Sequence, residues 1–150
     1  MTDITITLPD GSTRDLAQGS SGAVLAADIG PGLAKAALAV RVDGALWDLS
    51  RPFDGDCTVE IVTAKSDDAL DLLRHDAAHV MAEAVKELYP DVQVTIGPAI
   101  ENGFYYDFSR ADPFTPDDLE KIEARMADIV KRDEVISREV MDRNEAIEFF

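Results

Sequence analysis

The 150-residue sequence has one cysteine, one tryptophan and two histidines, and sets only 14 basic residues against 30 acidic ones. A lone cysteine cannot build a disulfide framework. A net charge of −16 works against holding a polyanion by charge alone, so any contact with nucleic acid must be local or assisted by other domains. No stretch approaches the roughly 20 apolar residues of a membrane span, and no N-terminal run joins basic residues to an apolar segment of signal-peptide length. Cytoplasm is the expected compartment, with no membrane partner. What is present, 46% hydrophobic and 29% charged residues, can bury a core in one domain or in two small ones.

The chain opens with β structure. Ile4-Thr5-Ile6-Thr7-Leu8 alternates apolar and polar residues and runs into Pro9-Asp10-Gly11, a strand entering a hairpin turn. Ala23 to Ile29 predicts a short helix stopped by Gly30-Pro31-Gly32, and Leu33 to Ala39 is a further apolar stretch. Val40-Arg41-Val42, Asp43-Gly44 and Ala45 to Leu49 form a second hairpin signature, with an Asp-Gly pair suited to a type I′ turn. Trp47 on that hairpin is expected in the core. Cys57 to Thr63 alternates well enough to be the last strand of a compact β-grasp module closing near Thr63.

A boundary is expected in the polar joint from Ala64 to Asp68. Residues 1–66 carry five basic and nine acidic residues, whereas 67–150 carry nine basic and 21 acidic. From Ala69 to Leu88 an apolar stripe (Leu70, Leu73, Ala77, Val80, Met81, Ala84, Leu88) follows the helical period until Tyr89-Pro90 stops it. Val92 to Ile96 and Phe104 to Phe108 predict two strands joined through a glycine-containing turn. Thr115-Pro116-Asp117-Asp118 is an N-cap launching a helix from Pro116 to about Lys131. Val135 to Met141 is expected as a strand and Asn144 to Phe150 as the first turns of a helix. The closing pair of phenylalanines suggests a truncated C-terminus.

The only histidines, His75 and His79, stand at i and i+4 on the long helix, about opposite its apolar stripe. That spacing lets two imidazoles reach one metal ion or one water, and it equally fits a solvated polar face. The string His75-Asp76-Ala77-Ala78-His79 lacks the glutamate of the HExxH proteases. Two ligands do not close a zinc site, and Cys57 belongs to the first module. Gly30-Pro31-Gly32 reads as a helix stop rather than a phosphate loop. Phe104-Tyr105-Tyr106 alternates faces on a strand, so one tyrosine packs while its neighbour can face a pocket; core packing is the default for Phe104 and Tyr105, and Tyr106 is the candidate pocket residue.

Four strings, taken in order, carry a resemblance: residues 4–12 (ITITLPDGS), 25–36 (LAADIGPGLAKA), 74–79 (RHDAAH) and 96–107 (IGPAIENGFYYD). Together they resemble the N-terminal region of the bacterial threonyl-tRNA synthetases. The first two are similar to the TGS module, which also occurs in GTPases and alarmone synthetases. The last two are similar to an editing domain shared with alanyl-tRNA synthetases and free-standing deacylases. The resemblance implies an α+β chain: a ubiquitin-like β-grasp TGS module at residues 1–64, then at 65–150 the first part of an α+β editing domain that hydrolyses mischarged seryl-tRNA(Thr). Carried over by motif, His75 and His79 match the HxxxH pair of the editing cleft and Tyr106 a pocket tyrosine. The family's later Cys/His pair has no counterpart here, and Asp76 stands where a serine is usual. The parent enzyme is implied to use ATP, Mg and Zn, to bind tRNA(Thr) and to be a homodimer. For this fragment no cofactor is expected, and neither aminoacylation nor editing on its own. Two other classes remain open: a free-standing metal-dependent aminoacyl-tRNA deacylase, and a non-catalytic TGS interaction module.

Overall fold

A computed structural model describes residues 3–149. In the first half, β1 (Asp3–Thr7) turns Ile4 and Ile6 inward and leaves Thr5 and Thr7 half-buried, as its alternation requires. It pairs antiparallel with β2 (Thr13–Ala17). The chain then crosses through α1 (Gly22–Ile29) and α2 (Pro31–Ala36) to β3 (Ala37–Val42), which turns back antiparallel into β4 (Ala45–Trp47). The last strand, β5 (Cys57–Thr63), inserts between β1, to which it is parallel, and β3, to which it is antiparallel. The resulting order β2-β1-β5-β3-β4, crossed by α1, is the β-grasp arrangement expected.

Between sheet and helix lies a core of Ile4, Ile6, Leu25, Val40, Val42, Phe53 and Val59, with Trp47 packed at its edge under the Arg51 guanidinium, 3.6 Å from the ring centroid. Helix α1 comes so close to β3 that a β-carbon on Gly22 would lie 2.5 Å from Val40 Cγ1, so only glycine fits there. At the β3–β4 turn Asp43 (φ +47°) and Gly44 (φ +85°) are both left-handed, as a type I′ turn demands. The Asp43 carboxylate also accepts hydrogen bonds from the Thr58 backbone N–H and hydroxyl, which hold it below the usual carboxylate range.

The joint is short and pinned. Ser66 Oγ accepts from the Thr63 N–H at 3.0 Å, and the Arg41 guanidinium pairs with both Asp68 and Glu60. Beyond it, α3 (Ala69–Leu88) keeps the predicted bounds and lies against α4 (Pro116–Arg132). Ala84, Val85, Val92, Ile122 and Ile129 form a second core, with Met81, Leu88, Tyr89, Phe108 and Phe114 around it. Arg132 spans the helix pair with two hydrogen bonds to Glu87, at 2.8 and 2.9 Å, and one to Glu83 at 3.2 Å. The strands between the helices are short: β6 (Gln93–Val94) pairs with β9 (Phe108–Ser109), and the smaller hairpin β7 (Ala99–Ile100) and β8 (Gly103–Phe104) sits inside their connection. The β7–β8 hairpin rests on α3. Among the described residues no helix is long and apolar enough to cross a membrane.

Several expectations are corrected. Leu70 and Leu73, placed on the packed stripe, are more than half exposed, because the second core reaches α3 only from Val80 onward, and the buried positions before it are the small Ala69 and Ala78. Tyr105 is 48% exposed rather than packed. Residues 135–141 form no strand: with no neighbouring strand to complete a ladder, the segment is irregular, and Val135 is 94% exposed. A final helix, α5 (Arg143–Phe149), does form, while the predicted helical Phe150 lies outside the described residues.

The start of α4 carries a pH prediction. Thr115 Oγ1 accepts from the Asp118 N–H, and the Asp118 carboxylate accepts from the Thr115 N–H at 3.0 Å, a reciprocal capping box. The same carboxylate accepts the Tyr89 hydroxyl at 2.7 Å. These bonds, the Thr115 N–H first, lower the Asp118 pKa to about 2. An unfolded aspartate titrates near about 3.9. The depressed folded value therefore contributes stability that is present above about pH 4 and is lost as pH falls toward 2. Thermal midpoints of wild type and Asp118→Asn measured from pH 6 to pH 2 should differ at pH 6 and converge at the acid end. A constant gap would contradict this origin.

Candidate functional site

On α3 the i, i+4 spacing brings the two imidazoles together on the solvent-facing side. His79 Nε2 lies 3.0 Å from His75 Nε2, with ring centroids 4.6 Å apart and planes at 75°. A hydrogen bond of this length needs one Nε2 to carry a proton and the other to be bare, with the tautomers deciding which ring donates. An oxygen entering between them meets one acceptor and one donor.

Asp76, next to His75, points another way. It lines a cleft of about 320 Å³ between the first module's sheet and α3, together with Leu38, Leu46, Trp47, Leu72 and Leu73. Arg74 turns back to Asp71 at 3.4 Å.

Tyr106 sits on the segment leading into β9 and is half-buried. Its ring stacks on Phe108, 5.0 Å between centroids and 19° between planes. From Phe108 the aromatic contacts continue to Phe114 and then to Tyr89, with the Arg110 guanidinium over both of the last two rings. The β6–β9 ladder extends past its strands: Asp107 N–H donates to Ile96 O at 2.9 Å and Thr95 N–H to Asp107 O at 3.2 Å, which sets Gly97 beside Tyr106. Among the described residues Tyr106 has no hydrogen bond or ring contact to either histidine. The site residues found by sequence thus form one joined pair and one separate aromatic.

Sequence reasoning passed over Gly97, read only as part of a turn, and over the cluster of Arg110, Tyr89 and Asp118. A glycine two residues ahead of the smaller hairpin was the available signal for the first. Charged residues 21 to 29 positions from Tyr89 left no periodic signal for the second.

The two Nε2 atoms supply at most two ligands, and among the described residues no group of three or more His, Cys, Asp or Glu side chains gathers to hold a metal. Cys57 is on β5, in the other core, with its thiol pushed up by burial and by the charges of Asp43 and Asp56. These residues do not make up a zinc set.

Residues 4–63 match the TGS domain family, the segment that folds into the five-stranded sheet. The chain is 66% identical over 148 residues to the threonine-tRNA ligase of Paramagnetospirillum magneticum, 63% over 147 residues to that of Rhodospirillum rubrum, and 63% over 147 residues to that of Thiobacillus denitrificans. Each match covers 98% of this chain and 23% of the relative. The chain therefore spans about a quarter of the length of these curated relatives. A TGS domain joined to a second helical half, with 98% of the chain aligned to these ligases, is consistent with an N-terminal fragment of a bacterial threonine-tRNA ligase.

Proposed function

We propose that this chain is the proofreading end of a threonine-tRNA ligase, with residues 1–64 as its TGS module and residues 65–150 as the first part of a pocket that hydrolyses serine from tRNA(Thr). The observation that carries this reading is the convergence of His75 and His79 at 3.0 Å on the open face of α3. The need for such a pocket is physical. Serine is smaller than threonine by one methyl, and a site that admits threonine rejects serine by only about 1–3 kcal/mol, so a second, hydrolytic selection must supply the rest.

The reaction joins water to the ester carbonyl carbon, breaks the bond to the ribose oxygen and returns a proton to that oxygen. One bare Nε2 is suited to accept the proton of the water, and one Nε2–H to donate to an oxygen of the ester or the ribose. Holding water and holding ribose are both open to this pair. Tyr106 would line the pocket, and the remaining groups would come from elsewhere in the ligase. The tRNA would be held mainly outside this acidic chain, as its net charge of −16 requires.

The test is hydrolysis of seryl-tRNA(Thr) and threonyl-tRNA(Thr) by the full-length protein. The serine ester should be cleaved and the threonine ester spared. Equal rates on the two would overturn the reading.

A further inference from the structure

We infer that Gly97 is a positioning residue for Tyr106, keeping that ring where the proposed pocket needs it; this rests on the hydrolytic reading above. A β-carbon built on Gly97 would stand 2.6 Å from Tyr106 Cγ and closer still to Cδ2 and Cε2. No real β-carbon comes that near, so the ring occupies the space that any side chain at 97 would take. The atoms in conflict run along one edge of the ring, Cδ2 and Cε2, to its root at Cγ, so the whole ring must shift to clear them.

Two neighbours remove the remaining freedom. Tyr106 is stacked on Phe108, which belongs to the second core's aromatic row. The backbone on both sides is fixed by the hydrogen bonds joining Ile96 and Thr95 to Asp107, so residue 97 cannot swing away. Gly97 itself has no left-handed backbone angle, and its identity therefore answers to the ring rather than to the turn. In contrast, Gly22 meets a core valine, where the same close approach serves only packing.

Alanine at 97 must move the Tyr106 ring off its stack. A displacement of about 1 Å in a group that orients a reacting ester can cost about 10²-fold in rate. In the full-length protein, Gly97→Ala should lower kcat for serine-ester hydrolysis about 10- to 100-fold and leave aminoacylation unchanged. The decisive comparison is the double variant. With Tyr106→Ala already present there is no ring to displace, and Gly97→Ala should cost nothing further.

If Gly97→Ala is harmless alone, or equally harmful in the Tyr106→Ala background, the inference is wrong. It is also wrong if Tyr106→Ala leaves hydrolysis intact while His75→Ala abolishes it, which spares the hydrolytic reading. A wild-type protein that fails to discriminate serine from threonine sinks both.

Discussion

Alanine at His75 or at His79 should lower serine-ester hydrolysis by the full-length protein roughly 10²- to 10⁴-fold while charging with threonine continues, the range expected for losing a positioned acid–base group. The two single variants should be nearly as damaging as the double. The Nε2–Nε2 hydrogen bond makes the pair one unit: removing either ring takes away the partner that fixes the other's tautomer, and with it the matched donor and acceptor. Rates measured on both esters for wild type, each single variant and the double settle it. Hydrolysis unchanged in both single variants would return the pair to a solvated polar face that happens to hold two imidazoles.

The second large effect is on stability. Phe53 is 1% exposed and is the largest of the fully buried side chains. It lies on the connection between β4 and β5, where its N–H donates to Ser20 O at 2.8 Å and its carbonyl accepts from the Gly19 N–H at 3.2 Å. With its backbone tied on both sides, the site cannot collapse to fill the space that Phe53→Ala would leave. The expected cost is about 3–5 kcal/mol. For a module of about 60 residues that is comparable to the whole stability. Because the two cores share no residue, hydrogen exchange should show protection lost over β1 to β5 and kept in α3 and α4. Loss of protection in both halves together would show that they fold as a single unit.

Much of this fold was legible because its signals are local. The bounds of α3 follow from the apolar period and the Tyr89-Pro90 stop, the β3–β4 turn from Asp43-Gly44, and the start of α4 from Thr115 with proline and two acids behind it. What failed depended on which surface faces which. Leu70 and Leu73 keep the helical period but lie ahead of the point where the second core reaches α3. Val135 to Met141 has a strand's composition without a strand beside it. Tyr105 and Tyr106 alternate as expected, yet it is the second ring that packs, on Phe108.

The candidate site divides in the same way. The histidine pair could be read from spacing alone, since i and i+4 are neighbours on any helix. The tie between Gly97 and Tyr106 could not, because it depends on how two strands align across the inner hairpin. A glycine that fits a neighbour's ring and one that merely turns the chain look alike in a sequence.

The position of β5 in the sheet also sets the order in which the first module can assemble during synthesis. Two hairpins, β1–β2 and β3–β4, can form as soon as they emerge, but they do not touch until β5 enters between them. The Thr5 N–H must wait for the Asp56 carboxylate, 51 residues later, and Ile6 for Cys57. Such long-range closure is slow relative to local pairing. The ribosome must therefore release the chain through Thr63 before any of the sheet is joined across its centre, and the histidine-bearing helix follows within six residues of that event.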